Sequence, residues 1–191
     1  MQKIISLFQR NYHGDRLVRN ELVPGAEWVF AGEGVATRKF DGTCCMVRDG
    51  KLYKRYDAKA GKTPPLSFLP AQPEADLVTG HWPGWIAVGD GPEDRWHREA
   101  FANALRFDPP VTDGTYELCG PCIQGNPEKL PEHTLVPHGI EQLHNCPRDF
   151  DGIREYLRYQ SVEGIVWWRD ISDQDCEKVK IKLKDFGLKR Q

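Results

Sequence analysis

The sequence predicts an α+β protein with largely antiparallel sheets, on three observations. Glycine and proline interrupt the chain often, 18 and 14 times in 191 residues, which favours many short strands over long helices. Short β-prone runs outnumber the stretches with helical patterning. The few helical stretches do not alternate regularly with strands, as a parallel sheet would require.

Taken in order, the clearest element is a hairpin, "TCCMV" and "KLYKRY" around Asp49-Gly50, a strong turn dipeptide. Residues 61–85, "GKTPPLSFLPAQPEADLVTGHWPGW", are proline-rich and read as an irregular surface segment. "EDRWHREAFANAL" (93–105) reads as a helix, with acids in its first turn and few breakers. "GTYELCG" (114–120) is a short strand and "HTLVPHGIEQL" (133–143) is expected to be another. "DFDGIREYLRYQ" (149–160) is helical, with Ile153, Leu157 and Tyr156 facing inward. "VEGIVWW" (162–168) and "EKVKIKL" (177–183) close the chain as two strands.

By length the chain is one domain, residues 1–191, able to bury a core without staples. A net charge of −2 carries no global nucleic-acid signature, although "KVKIKLKDFGLKR" (178–190) is a local basic cluster. No run reaches the length needed to span a bilayer, and the apolar stretch near the N-terminus is too short for a secretory signal. The expectation is an intracellular, cytoplasmic protein whose six cysteines are thiols.

Cys119-Gly120-Pro121-Cys122 has the letters of a thioredoxin-type pair. That chemistry needs the first cysteine at a helix N-terminus, and Gly125 and Pro127 would break such a helix. Zinc needs two more ligands, and His133, His138, His144 and Cys146 form no familiar paired spacing. A pair of ordinary buried thiols is the plainer reading.

"TRKFDGT" (37–43) is sharper. An amine that attacks a nucleotide phosphate must be fixed and unprotonated, which neighbouring cations and partial burial can achieve for a lysine. Gly42 allows a tight turn beside the nucleotide. Alone, Lys39 could equally be a solvated lysine before a plain Asp41-Gly42 turn. Further elements follow in order, however: Lys54-Arg55, Glu117 in "YELCG", Glu163 in "VEGIVWW", and Lys180-Ile181-Lys182. In a strand, Lys180 and Lys182 share a face and suit a polyphosphate. An edge strand guarded by lysines would explain the cations, but not the ordered carboxylates.

This ordered set resembles the covalent nucleotidyltransferases, the superfamily of polynucleotide ligases and RNA-capping enzymes. "KFDGT" corresponds to motif I, "YELCGP" to motif III, "EGIV" to motif IV and "KVKIK" to motif V. With "GNPEKL" and "LVPHG", the likeness is nearest to ATP-dependent RNA ligases of the human-type 5′-to-3′ family, and it covers nearly the whole chain.

The resemblance implies a nucleotidyltransferase fold and an RNA ligase joining 5′-phosphate to 3′-hydroxyl ends. Lys39 would form a lysyl-AMP with ATP. Lys180 and Lys182 would contact the α-phosphate, and Glu163 would hold Mg²⁺ or Mn²⁺. Glu117 would bind the ribose hydroxyls, and Arg55 would touch phosphate or ribose, with Lys54 as competitor. Thr37 and Arg38 would flank the lysine where backbone groups read the adenine edge, and Asp41 and Gly42 complete motif I. Relatives stack an aromatic ring on the base after motif III, where this chain has no Phe, Tyr or Trp and His138 offers the flat ring. DNA ligases and capping enzymes continue into an OB-fold, whereas "LKDFGLKRQ" follows Lys182 here, so no OB-fold is expected. Lys184, Lys189 and Arg190 are either phosphate contacts or a solvated tail. The rival readings are adenylylation of another acceptor, a non-catalytic RNA-binding protein, and a thiol oxidoreductase.

Overall fold

The computed structural model describes residues 1–77 and 79–190. Val78, inside the proline-rich stretch, lies outside the described residues. In chain order the first elements are β1 (Ile5–Ser6), β2 (Phe8–Arg10), β3 (Val18–Leu22), α1 (Glu27–Phe30), β4 (Val35–Lys39), β5 (Thr43–Arg48) and β6 (Lys51–Ala58). Then come β7 (Leu69–Pro70), β8 (Trp82–Ala87), α2 (Arg95–Ala104), β9 (Gly114–Cys119), β10 (Thr134–Pro137), α3 (Phe150–Tyr159), β11 (Gly164–Trp168) and β12 (Lys178–Lys182). Short 3-10 turns cover Pro92–Asp94 and Leu183–Phe186. The mixture of antiparallel sheets and few helices agrees with an α+β fold. Among the described residues, no helix is long and apolar enough to cross a membrane.

The chain divides into two compact units, residues 1–3 with 41–138 and residues 4–40 with 139–191. The first holds a six-stranded antiparallel sheet in the order β10-β9-β5-β6-β8-β7. Its β5–β6 hairpin turns through Asp49 and Gly50, at φ 51° and 68°, the two left-handed positions of a type I′ turn. Strand alternation sorts the side chains. Cys45, Val47, Leu52, Tyr116 and Leu118 are buried in a cluster with Ala100 and Ala104 of α2, while Cys44 and Glu117 occupy the alternate positions.

One expectation for this unit needs correcting. The segment 61–85 is not wholly irregular: it contains β7, and β8 begins within it at Trp82. The Pro-Gly pair at 83–84 signals a local turn, but β8 pairs with β6 from Tyr53 to Ala58 and buries Trp85 at 3% exposure. Partners far along the chain outweigh the local signal. The strand expected over 133–143 is shorter than its pattern, ending at Pro137.

The second unit holds a four-stranded sheet in the order β1-β12-β11-β4, in which only β1–β12 is parallel. A separate β2–β3 hairpin also belongs to it. α3 starts where expected because the Asp149 carboxylate accepts from the Gly152 N–H at 2.9 Å, an N-cap. Ile153 and Leu157 are fully buried in the core, with Tyr156 packed against it. Phe8, Phe150 and Phe186 meet edge to face in the same core.

Candidate active site

Three strand ends bring the second unit's chemistry together. β4 ends at Lys39, β11 begins at Gly164, and β12 ends at Lys182. Gly164 is in register with Lys39 on one side and Lys182 on the other. A β-carbon at 164 would strike the Ile181 carbonyl oxygen and lie 2.9 Å from the Lys182 Cα, so the row closes only over glycine. Glu163, the residue before, receives both lysines. Its Oε2 lies 2.5 Å from Lys39 Nζ and its Oε1 lies 2.6 Å from Lys182 Nζ. Burial alone would raise the Glu163 carboxyl, but the Lys39 and Lys182 charges outweigh it and hold it below its ordinary range.

Lys180 stands on the same face of β12 as Lys182, because Val179 and Ile181 between and before them are buried at 1% and 0% exposure. Burial, reinforced by repulsion from Lys182 and Lys39, pushes its ammonium down to about 8. No side-chain partner holds Lys180 among the described residues. Asp185 fixes the turn that follows: its Oδ2 accepts from the Lys182 N–H at 3.0 Å, and its Oδ1 accepts from Arg10 at 2.5 Å. The sequence reading missed Asp185, although an acid three residues after a strand end is a capping signal.

Thr37 and Arg38 are tied into the second unit. Thr37 Oγ1 donates to the Val166 carbonyl and accepts from Trp168 Nε1–H, both at 3.0 Å. The Arg38 N–H donates to the Glu141 carbonyl at 2.9 Å, and its guanidinium pairs with the Glu141 carboxylate at 3.2 Å above the Phe40 ring.

In the first unit, Glu117 gathers the motif that follows the lysine. Its Oε1 accepts from the Gly42 N–H at 3.1 Å, and its Oε2 lies 3.0 Å from His138 Nε2. The Asp41 N–H donates to Glu128 at 2.9 Å. Gly42 is sterically required, since a β-carbon there would strike the Leu118 carbonyl and lie 2.9 Å from Cys119 Sγ. The His138 imidazole is thus joined edge-on to Glu117, and its buried Nδ1 has no hydrogen-bond partner.

Alternation separates the two basic candidates on β6. Lys54 pairs in register with Cys45, on the face covered by α2, and its ammonium is held by buried Asp94 at 2.5 Å. Arg55 takes the opposite face, where it contacts Asp57 at 3.1 Å, the Met1 carbonyl at 2.7 Å and the Trp85 ring.

The cysteines differ from a buried pair: Cys119 is buried, but Cys122 is exposed. Turns rather than a helix follow Cys122, and none of the six cysteines is joined in a disulfide. His133 Nε2 accepts from the Cys122 N–H at 3.3 Å while Nδ1 contacts Glu99 at 2.8 Å, so both its nitrogens are used. The donor set that does converge is a different one. Ligand atoms of Cys44, Glu117 and His138 lie within 4.8 Å of one another. Cys44 went unnoticed in the sequence because its neighbour Glu117 is brought by a strand more than seventy residues away.

No protein-family model matches the chain. It is 30% identical over 203 residues to RNA ligase 1 of Mus musculus, covering 70% of this chain and 62% of that protein. RNA ligase 1 of Pongo abelii is 28% identical with the same coverage. RNA ligase 1 of Danio rerio is 28% identical over 223 residues, covering 81% of this chain and 67% of that protein. The chain therefore spans about 62% of the length of the mouse and orangutan relatives. These likenesses support an RNA ligase family.

Proposed function

We propose that the chain is an ATP-dependent RNA ligase that works through a covalent lysyl-AMP at Lys39. The observation that carries this reading is the row Lys39, Gly164, Lys182, with Glu163 bridging both lysines and Lys180 beside them. One side chain is a nucleophile, two are cations suited to phosphoryl oxygens, and a carboxylate orients the nucleophile. Similarity to proteins named RNA ligase 1 supplies the substrate class.

In the first step the neutral Lys39 amine attacks the α-phosphorus of ATP, forming a P–N bond as the P–O bond to pyrophosphate breaks. The amine's proton passes to Glu163 or to solvent. Next, a 5′-phosphate oxygen of RNA attacks the same phosphorus, the P–N bond breaks, and Lys39 regains a proton. Finally a 3′-hydroxyl attacks the activated 5′-phosphorus, making the phosphodiester and releasing AMP. Lys180 and Lys182 neutralise the transferred phosphoryl oxygens, and positioning supplies much of the remaining acceleration.

Glu163 fits Mg²⁺ or Mn²⁺ through water, since both its oxygens already contact ammonium groups. When bound, the ion supplies charge neutralisation at the phosphates. On the family likeness we assign nucleotide contacts to Thr37 and Arg38 beside the lysine, and to Asp41, Gly42, Arg55, Glu117 and His138. Glu117 serves the ribose, and residues 1–191 act as a single nucleotidyltransferase domain.

The test is incubation with α-labelled ATP and Mg²⁺, followed by denaturation and counting of protein-bound label. Wild type is expected to be labelled and Lys39→Ala is not. An unlabelled wild type, or equal labelling of the variant, overturns the covalent mechanism. Joining of 5′-phosphorylated RNA is expected to be lost in Glu163→Ala and Lys182→Ala. Labelled protein that joins no RNA of any geometry would point to another acceptor.

A further inference from the structure

The second unit contains an open cleft of about 480 Å³ whose lining includes Lys180 and Lys182. Three more cations reach it, Arg10, Arg16 and Lys184, against two carboxylates, Asp15 and Asp185. Both carboxylates are already satisfied. Asp15 is chelated by Arg19 at 2.9 and 3.0 Å and accepts from the Leu17 N–H, and Asp185 holds Arg10 and the Lys182 N–H.

Of the cations, Lys182 is held by Glu163 and Arg10 by Asp185, whereas Arg16, Lys180 and Lys184 are not held among the described residues. Arg10 is fixed in place by Asp185 and by the Arg16 carbonyl at 2.7 Å. The Arg16 side chain has no hydrogen bond or ion pair among the described residues, yet its backbone is pinned at φ 60° by the Asn11 carbonyl and Arg10. Lys184 is likewise without a side-chain partner among the described residues, as is Lys180. Ser6, in register with Lys180 across the parallel β1–β12 pair, has a buried hydroxyl with no hydrogen-bond partner.

We infer that this cleft is the seat of the RNA 5′-phosphate, with Ser6, Arg16 and Lys184 joining Arg10 and Lys180 as its donors. The inference rests on the RNA-ligase reading above and deepens it. A phosphate monoester presents three non-bridging oxygens, which convergent guanidinium, ammonium and hydroxyl donors can share. The seat also lies where the second step needs it, because Lys182 lines the cleft and touches Glu163, which touches Lys39. A pocket of this size holds more than one phosphate, leaving room for the first nucleotide behind it. Pyrophosphate is the other source of the same chemistry, and the experiment separates the two.

The experiment measures binding without ATP, by fluorescence anisotropy of a 3′-labelled oligoribonucleotide carrying either a 5′-phosphate or a 5′-hydroxyl. Wild type is expected to prefer the 5′-phosphate by roughly tenfold, as charge-assisted donors on a terminal dianion should give. Arg16→Gln and Lys184→Gln are expected to cut that preference to roughly twofold or less, and Arg16→Lys to keep most of it. Neither side chain is packed, so a circular dichroism spectrum like that of wild type is expected. Equal binding of the two RNAs by wild type, or full preference in both Gln variants, overturns the assignment. Inorganic pyrophosphate provides the second arm. If the variants weaken only pyrophosphate inhibition of Lys39 labelling and leave the 5′-phosphate preference intact, the seat serves the leaving group and the assignment falls. A 5′-phosphate preference in a protein that never labels would leave the seat standing and overturn the covalent reading instead.

Discussion

Replacing Lys180 by methionine should stabilise the protein, and by an amount that fades as pH rises. Burial opposes the Lys180 charge first, and Lys182 and Lys39 add repulsion, bringing the ammonium from 10.5 to about 8. A difference of about 2.5 pH units corresponds to about 3.5 kcal/mol at about 1.4 kcal/mol per unit, an upper bound because the site is not fully closed to solvent. Below about pH 8 both folded and unfolded chains carry the proton, so the folded chain bears the whole cost. Between about 8 and 10.5 the folded chain sheds the proton while the unfolded chain keeps it, and stability rises with pH. Above that window the cost is gone. Methionine keeps most of the apolar stem and removes the charge, so at pH 7 the variant should gain about 2–3 kcal/mol. The gain should shrink towards zero by about pH 10.5. Urea denaturation followed by tryptophan fluorescence is well suited, because Trp167 and Trp168 are buried in the same unit as Lys180. Tripolyphosphate should stabilise wild type more than the variant, since binding an anion at the lysine row relieves the same repulsion. A variant less stable than wild type at pH 7, or a gain that ignores pH, would refute this account of Lys180.

Glu163→Gln removes the carboxylate that two ammonium groups share and should cost about 1–3 kcal/mol at pH 7, read from urea midpoints. The Glu163 carboxyl is held below 4.5, so its contribution is present above that pH and lost as pH falls through the folded value. Acid should therefore erode wild type more steeply than the variant, and parallel acid profiles would contradict the pairing. Gly164→Ala forces a β-carbon onto the Ile181 carbonyl and should cost about 2 kcal/mol or more in thermal melts; a melt like that of wild type would sink the close-approach argument. The double variant Cys119→Ser, Cys122→Ser should keep at least about half of the lysyl-AMP label, since Cys122 is exposed and serine nearly matches the size of the Cys119 thiol. Complete loss of label in a folded double variant would reopen a thiol role.

What the sequence displayed well was local. The Asp49-Gly50 turn, the helix with Ile153 and Leu157 one turn apart, and the alternation of Lys180 and Lys182 are each written within a dozen residues. What it concealed depends on pairing at a distance. β8 runs through Pro83-Gly84 because β6 lines it, and nothing within residues 61–85 says so. Arg10 and Ser6 come beside the lysines only because β1 docks parallel to β12, with Ile5 opposite Val179. The Glu117–His138 contact likewise needs the β9–β10 pairing that sets the two close. The ordered motif residues could be listed from the sequence, whereas their partners had to be seen.

The unit that carries Lys39 is made from two separated stretches of chain, with residues 41–138 inserted between them. Synthesis runs in one direction, and domains fold as their chain becomes available. When Lys39 leaves the ribosome, its strand has no ladder partner, because β4 pairs in the sheet only with β11, made more than a hundred residues later. Glu163, Lys180 and Lys182 also come from that late stretch. The inserted unit can finish folding while the nucleophile is still a lysine on an unpaired strand. A nascent chain halted before residue 164 should thus hold Lys39 without its strand partner and without the charges that surround it, and the lysine row would come together only once residues 163–182 have been made.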